Sequence, residues 1–277
     1  MKYTINRGKE LGTDSFFHKR RKMDISAKTA FISGGASGLG EATARMIHQG
    51  GGNVMLFDLN AERGAALAGE LGERADFAQG DVQDSGQLAD AVAKGMERFG
   101  ALHFCICCAG IGPPARVLGR EGPASMDWFK GTVGINLIGS FDTVRLTAEQ
   151  IAKNDPNEEG ERGVVVMTAS VAAFEGQIGQ AAYAASKGGI VGMTLPIARE
   201  FAKLGIRVMT IAPGLFDTPL LASLPDEAKA SLGAQVPFPS RLGKPSEFAD
   251  TVRNIINSPM LNGSVIRLDG AIRMAPR

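Results

Sequence analysis

Tyr183 and Lys187 are the side chains of this sequence best suited to move a proton at a substrate oxygen. They stand four positions apart, so a helix would place them on one face, and Ser170 precedes the tyrosine by 13 residues. A free phenol has a pKa of about 10 and is a poor base at neutral pH. One ammonium about 4 Å away is worth ~4 kcal/mol at an effective dielectric of 20, which can bring that pKa near 7. The three residues therefore predict hydride-transfer chemistry at an alcohol, with Ser170 holding its oxygen.

Asn136 is a fourth polar residue with a predicted catalytic role. It interrupts the apolar segment Gly134-Ile-Asn-Leu137, where it could hold a water that relays protons to Lys187. Spacing alone leaves open the alternative that Asn136 only breaks a helix. None of the three histidines lies near a nucleophile motif, so no serine-histidine-aspartate triad competes.

A glycine-rich turn predicts a dinucleotide site. The sequence Ser33-Gly-Gly-Ala-Ser-Gly-Leu-Gly40 lies between an apolar run and a helical pattern. Its glycines permit positive φ and let backbone N–H groups approach a pyrophosphate at the positive end of the helix. Asp58 ends the next apolar run 18 residues later, close to the usual interval for the acid that binds the adenosine ribose. Such a carboxylate repels a 2′-phosphate and favours NAD; the alternative is a turn or helix-capping aspartate.

Short apolar runs alternate with longer amphipathic segments from Lys28 onward. The predicted strands cover 29–33, 53–58, 76–80, 102–107, 163–169, 207–212 and 264–268. The predicted helices cover 39–49, 61–71, 85–99, 132–152, 183–204 and 245–256. Since parallel strands need crossover helices, this order predicts one α/β domain over 27–277, a doubly wound Rossmann domain with a central parallel sheet of about seven strands.

Composition and charge exclude several other classes. The chain has 277 residues, 44% of them hydrophobic, and a formal net charge of +1. These values are typical of a globular protein and give no strong field for nucleic acid or anionic lipid. Residues 1–26 carry seven basic and three acidic residues, which leaves the rest of the chain at −3. We interpret 1–26 as a basic, disordered leader. We expect no membrane partner because no run of about 18 apolar residues occurs, and no nucleic-acid partner because the rest of the chain is mildly acidic.

The cysteines indicate a reducing compartment and no metal. Cys105, Cys107 and Cys108 are too close in sequence to form a disulfide along a strand. Neighbours two apart on a strand are separated by about 6.8 Å, too far for one tetrahedral ion. We therefore expect a cytoplasmic protein, or one of the mitochondrial matrix if the leader is a targeting segment; the three acids of the leader argue against targeting.

Taken together, these motifs resemble the short-chain dehydrogenase/reductase family over essentially 27–277. The resemblance is carried by the turn at 33–40, Asp58, Cys-Ala-Gly at 108–110, Asn136, Ser170, Tyr183, Lys187 and Pro213-Gly214. The chain departs from the family pattern at Ser33, usually threonine, and at Cys107, usually asparagine. Longer segments at 168–176, 235–243 and 266–274 resemble the members of the family that act on 3-hydroxyacyl-CoA.

The resemblance implies NAD-dependent interconversion of 3-hydroxyacyl-CoA and 3-oxoacyl-CoA in fatty acid metabolism, with hydroxysteroids as further substrates. It also implies a homotetramer, with the helical segments 132–152 and 183–204 as interface elements. The expected cofactor contacts are Gly34, Ser37, Gly38, Leu39, Gly40, Asp58, Asp81, Val82, Cys108, Ala109, Gly110, Tyr183, Lys187, Pro213, Phe216 and Thr218. The expected substrate contacts are Ser170, Gln180, Tyr183 and Leu220.

Two alternatives to this function remain open at the level of sequence. One is a 3-oxoacyl carrier-protein reductase that uses NADPH, which Asp58 disfavours. The other is an additional noncatalytic scaffold role in RNA processing, without direct RNA contact because the body lacks a basic stripe. The leucines of 213–224 favour the thioester, since a loop at the carboxyl edge of the sheet can cover an acyl chain; simple core packing is the competing explanation.

Overall fold

A computed structural model describes residues 23–221 and 225–276. Its centre is a seven-stranded parallel sheet, whose strands are β1 (Thr29–Ser33), β2 (Asn53–Asp58), β3 (Ala75–Gln79), β4 (Phe104–Cys107), β7 (Gly163–Thr168), β8 (Ile206–Pro213) and β9 (Val265–Leu268). Their order in the sheet is β3-β2-β1-β4-β7-β8-β9. A separate antiparallel hairpin pairs β5 (Leu118–Gly119) with β6 (Gly122–Pro123). The predicted doubly wound fold is confirmed, and its strand order reverses direction between β1 and β4, where such sheets bind ligands.

Helices cover both faces of the sheet. They are α1 (Gly38–Gln49), α2 (Ala61–Leu71), α3 (Ser85–Phe99), α4 (Met126–Val133), α5 (Gly139–Ile151), α6 (Ala181–Phe201), α7 (Asp226–Ala234) and α8 (Pro245–Ile256). Side chains alternate between two cores: Ile32 packs with the residues of α1 and α8, whereas Phe31 packs with those of α3, α5 and α6. Because the inner strands are buried on both sides, their sequences are almost continuously apolar.

The predicted helix at 132–152 is wrong in its detail. The structure has α4, then a wider π-helical turn at Gly134–Ile138, then α5. Close packing accompanies this turn, since a Cβ on Gly134 would lie 2.4 Å from Oε1 of Gln83, and one on Gly139 would lie 2.7 Å from Cγ2 of Val82. The sequence analysis also missed α7 and the β5–β6 hairpin.

The boundary of the leader also needs correction. Residues 1–22 lie outside the described part of the chain. Met23 and Ile25, however, are 4% and 5% exposed and belong to the core on the α1 side of the sheet. The predicted boundary at residue 26 is therefore too late, because the packed body includes Met23. Among the described residues, no helix is both long and apolar enough to cross a membrane.

Candidate active site

A cleft of about 540 Å³ opens along the carboxyl ends of the strands. All sixteen residues predicted to contact the cofactor line it, from Gly34 in the turn after β1 to Thr218 after β8. Of the predicted substrate residues, Ser170, Gln180 and Tyr183 line the same cleft. The side chain of Leu220 lies outside the described part of the structure, as does Leu224.

The glycine-rich turn brings backbone rather than side chains to the cleft. Gly34 has φ +67°, and a Cβ there would lie 2.5 Å from the backbone nitrogen of Ala109. A Cβ on Gly40 would lie only 2.0 Å from the carbonyl oxygen of Gly34. Ser37 caps α1 without a side-chain hydrogen bond, so N–H groups of the first turn keep no intrahelical or capping partner. This end of the cleft can therefore hold a phosphate group.

Asp58 connects the glycine turn to the start of α2. One carboxylate oxygen accepts a hydrogen bond from the N–H of Ala36 and the other from that of Asn60, each at 3.0 Å. Asn60 in turn caps α2 by accepting from Arg63. Asp58 thus stabilises a turn, which was the alternative to a role in binding the ribose. It also lines the cleft, where each carboxylate oxygen retains a lone pair that can accept from a hydroxyl group.

Ser170, Tyr183 and Lys187 meet at the other end of the cleft. Ser170 follows β7, and its hydroxyl accepts from the N–H of Ala172 at 3.2 Å. Tyr183 lies in the first turn of α6, and the Nζ of Lys187 is 5.7 Å from the centroid of its ring. This Nζ, on a side chain that is almost fully buried, donates to the carbonyl oxygen of Thr168 at 2.8 Å.

Burial controls the protonation of both groups. It lowers the pKa of Lys187 to about 8. It raises the pKa of Tyr183, with the Ser170 hydroxyl partly offsetting the rise. Burial thus opposes the lowering of the phenol pKa that the spacing of Tyr183 and Lys187 predicts. Tyr183 stays protonated at neutral pH and is a proton donor in this state.

Asn136 lies behind the cleft rather than in it. Its amide nitrogen donates to the carbonyl of Ile111 at 2.8 Å and to the hydroxyl of Ser186 at 2.9 Å, and its oxygen accepts from the N–H of Ile111 at 2.8 Å. A Cβ on Gly110 would lie 3.1 Å from this oxygen and 3.5 Å from the Nζ of Lys187. Asn136 thus fixes the loop after β4 against α6, next to Lys187; a relay of protons through a water remains a prediction.

The lining of the cleft also contains apolar residues that the sequence analysis missed. They are Leu232 of α7 and Met274, which follows β9; Leu215 and Leu221 of the predicted covering loop at 213–224 line the same cleft. Gln177 adds a polar group. Met274 ends the segment 266–274, but that resemblance gave the residue no role, and Leu232 lies in no motif. Only the tertiary fold brings the two residues to the cleft.

Cys105 and Cys107 are buried thiols, and Cys108 is half-buried. The sulfur atoms of Cys105 and Cys107 are 3.8 Å apart, and the Cys107 thiol also reaches the carbonyl of Ser140 at 3.8 Å. Hydrogen bonding to Cys105 and burial raise the pKa of Cys107. Burial raises the pKa of Cys108, which lines the cleft, to about 12. These two thiols are therefore neutral, and within the described ranges no group of three His, Cys, Asp or Glu side chains is arranged to hold a metal ion.

Comparison with known proteins identifies the class to which this fold and site belong. The sequence model described as short chain dehydrogenase matches residues 28–229, so the chain belongs to the short-chain dehydrogenase family. It is 51% identical over 254 residues to 3-hydroxyacyl-CoA dehydrogenase type-2 of Homo sapiens, covering 91% of this chain and 97% of that enzyme.

Two solved structures are also similar to this chain. The crystal structure of 3-hydroxyacyl-CoA dehydrogenase type-2 from Mycobacterium avium superposes with a TM-score of 0.86 at 44% identity, over 91% of this chain and 99% of that one. The 3-ketoacyl-(acyl-carrier-protein) reductase from Brucella melitensis, solved with NADH, has a TM-score of 0.80 at 28% identity, over 90% and 100% of the chains.

Proposed function

We propose that this protein is an NAD-dependent dehydrogenase that interconverts 3-hydroxyacyl-CoA and 3-oxoacyl-CoA. The observation that carries the proposal is one cleft that is lined by the glycine-rich turn and Asp58 as well as by Ser170, Tyr183 and Lys187. The similarity to 3-hydroxyacyl-CoA dehydrogenases of type 2 in both sequence and structure supports the choice of substrate.

The lining residues fit a nicotinamide cofactor. The space that a Cβ on Gly34 or Gly40 would fill and the uncapped N–H groups of α1 suit a pyrophosphate, and Asp58 suits a ribose. When bound, the cofactor donates or accepts the hydride. Of the residues described as lining the cleft, only Asp58, Asp81 and Lys187 carry charge, so the adenosine end offers carboxylates and no basic partner for a 2′-phosphate. This charge distribution supports NAD over NADP.

The chain's own residues then account for the proton. In the reductive direction, Ser170 and Tyr183 hold the oxygen of the 3-oxo group, and the phenol donates its proton to that oxygen. The resulting phenolate lies beside the ammonium of Lys187, whose attraction at short range in a partly desolvated site is worth several kcal/mol. Lys187 is itself held in place by the carbonyl of Thr168. In the oxidative direction the same groups remove the proton.

The reaction is tested by steady-state reduction of acetoacetyl-CoA with NADH and with NADPH. We expect turnover with NADH and a preference for the thioester over free acetoacetate, because Lys187 is the only cation among the residues described as lining the cleft and it is already bound to the carbonyl of Thr168. Tyr183→Phe should bind NADH as the wild type does and lose more than 99% of turnover, in line with the contribution of about 10²–10⁴ from a positioned acid. Equal or better activity on the free acid would rule out the thioester assignment.

A preference for NADPH would favour the alternative carrier-protein reductase. The 3-ketoacyl-(acyl-carrier-protein) reductase from Brucella melitensis has a similar fold, so the fold alone does not separate the two reactions. Parallel assays with acetoacetyl-CoA and an acyl carrier-protein thioester would distinguish them.

We also infer a homotetramer. Phe141 of α5 and Leu195 of α6 are exposed large apolar side chains on the two helices expected to form the interface, and Ile138 extends the apolar surface at the start of α5. Burying them against further copies of the chain would remove apolar area from water. Light scattering coupled to size exclusion measures the assembly, and a monomer would contradict the inference.

The compartment is proposed on chemical grounds. Cys105, Cys107 and Cys108 are free thiols, which suits a reducing environment. We propose the cytoplasm, or the mitochondrial matrix if residues 1–22 direct the protein there. Fusion of these residues to a fluorescent reporter distinguishes the two locations.

A further inference from the structure

The segment 269–276 returns from the end of β9 to the substrate end of the cleft. It begins with a tight turn in which Gly270 and Ala271 have φ of +57° and +68°. A side chain rarely adopts this left-handed region, so the contacts around Ala271 must hold it there. The Asp269 carboxylate supplies one of them by accepting from the N–H of Ala271 at 3.0 Å, and Ile272 is buried. Met274 follows and lines the cleft.

Two arginines and two carboxylates hold this turn. The Arg267 guanidinium donates to both carboxylate oxygens of Glu175, at 2.8 and 2.9 Å, and to Asp269 at 2.7 Å. Arg273 approaches the same two acids, at 3.1 Å from Asp269 and 3.4 Å from Glu175. A bidentate arginine–carboxylate contact fixes the relative position of both groups more strictly than a single hydrogen bond.

Glu175 belongs to the segment that carries Ser170 and not to the end of the chain. It follows Ser170 by five residues, whereas Arg267 is 92 residues away in sequence. Two further hydrogen bonds join the same segments: Gln177 donates to the carbonyl of Ala275 and the N–H of Ile178 donates to that of Pro276, both at 3.0 Å. The segment 269–276, which contains Met274, is therefore fixed to the segment that carries Ser170.

The ion pairs persist at neutral pH. Arg267 lowers the pKa of Glu175, and Arg273 and the backbone N–H of Met274 lower it further against the opposing effect of burial. Glu175 therefore stays ionised at neutral pH, and its contacts with Arg267 and Arg273 hold the turn that leads to Met274.

We propose that Met274 determines acyl-chain specificity and that Glu175 is a positioning residue, which acts by holding Met274 against the cleft. Both roles rest on the proposed function. Met274 lines the cleft beside the segment that follows Ser170, and Leu215, Leu221 and Leu232 also belong to the apolar lining. The unbranched thioether of Met274 can pack along a flexible chain. Only an acyl chain that extends beyond the reacting carbons would need this space.

The first test changes the size of Met274. Met274→Trp should lower kcat/KM for 3-oxooctanoyl-CoA relative to that for acetoacetyl-CoA at least fourfold, the value of one buried methylene. The dissociation constant of NADH, measured by fluorescence titration, should stay within twofold of the wild type. An unchanged ratio between the two substrates would show that Met274 does not contact the chain and would overturn the proposal.

The second test removes the charge of Glu175 that binds Arg267 and Arg273. Glu175→Gln should raise KM for 3-oxooctanoyl-CoA several-fold more than it lowers kcat, and Glu175→Asp should recover part of the loss because it retains the charge. The matched control is Glu70→Gln, which removes an equivalent bidentate contact to Arg45 outside the lining of the cleft. If both glutamine variants changed the KM alike, or if the loss fell on kcat alone, a positioning role would be wrong.

The two proposals fail in different ways. A wild-type protein that reduces no 3-oxoacyl-CoA would refute the proposed function. Turnover of both thioesters with a chain-length ratio that neither Met274→Trp nor Glu175→Gln alters would refute only the role of this segment.

Discussion

At the scale of single residues, the site depends on how burial divides protonation between Tyr183 and Lys187. Burial favours the neutral form of each group, so it raises the pKa of the phenol and lowers that of the ammonium to about 8. At pH 7 both therefore carry their protons, with Lys187 closer to losing its own. This combination suits the reduction of a ketone, in which a proton must be given to the substrate.

The first prediction concerns pH. Because the folded-state pKa of Lys187 is about 8, its positive charge is present below that pH and lost above it. The kcat/KM for reduction should fall as the pH rises through about 8, since the phenolate then loses its neighbouring cation. Lys187→Arg, measured in single turnovers at saturating NADH, should keep its residual rate to higher pH because a guanidinium stays charged. If the rates of both proteins fell at the same pH, the fall would belong to the titration of another group.

The second prediction concerns cofactor choice at Asp58. Asp58→Ser removes both the ribose acceptor and the charge, so the ratio of kcat/KM for NADH to that for NADPH should fall about tenfold or more. Asp58→Asn separates the two effects, because it retains an oxygen acceptor but no charge. We expect its NADPH value to rise with only a modest loss for NADH. The ratio is obtained from initial rates with each cofactor, and a serine variant with the wild-type ratio would place the ribose elsewhere.

At the scale of elements, the glycine turn and α1 form a unit whose spacing depends on the absence of a side chain. A Cβ on Gly40 would meet the carbonyl of Gly34 at 2.0 Å, so Gly40→Ala must displace the turn. We expect NADH binding to weaken at least tenfold and the melting temperature to fall. Gly69→Ala is the control, because this exposed position within α2 has nothing within 4 Å of an added Cβ.

The control should behave in the opposite way. Alanine in an exposed helix interior stabilises by about 0.5–1 kcal/mol relative to glycine, so Gly69→Ala should raise the melting temperature and leave NADH affinity unchanged. Calorimetry and fluorescence titration measure both quantities. Equal NADH affinity in the two alanine variants would show that the turn does not bind the cofactor.

The bounds of several elements follow from local signals in the sequence. The strands β1 and β2 and the helices α2, α3 and α8 begin and end at the predicted residues. The caps Asn60 and Asp84 mark the starts of α2 and α3, and Gly100 ends α3 in a left-handed conformation. Such signals lie within a few residues of the boundary, so the sequence alone reveals them.

Tertiary packing explains what local signals could not predict. The π-helical turn accompanies contacts of Gly134 and Gly139 with residues 82 and 83, some fifty positions earlier in the chain. The spacing of Ser170, Tyr183 and Lys187 could be read from the sequence because one strand end and one helix bring them together. Met274 could not, because it reaches the cleft only through long-range contacts between the end of the chain and the segment after β7.

At the scale of the whole molecule, two cores on opposite faces of one sheet support a single cleft at its carboxyl edge. The core on the α1 and α8 side includes residues from the start of the described chain as well as from its last helix. Met23 and Ile25 complete that core beside Ile47, and the backbone of Ile25 and Ala27 bonds to Lys28 and Gly51. Stability at this face therefore depends on a segment that precedes the first strand.

The last prediction tests where the folded body begins. Removal of residues 1–22 should leave the melting temperature and the kinetics unchanged, because Met23 and Ile25 remain in place. Removal of residues 1–26 should lower the melting temperature by roughly 5 °C or more, since loss of a buried aliphatic side chain typically costs about 2–5 kcal/mol.

The double variant Met23→Ala, Ile25→Ala in the full chain separates side-chain packing from the loss of backbone contacts. We expect it to melt between the two truncated proteins while its KM for NADH stays that of the wild type, because neither side chain lines the cleft. Scanning calorimetry orders the three proteins, and equal melting temperatures for both truncations would show that residues 23–26 do not stabilise the body.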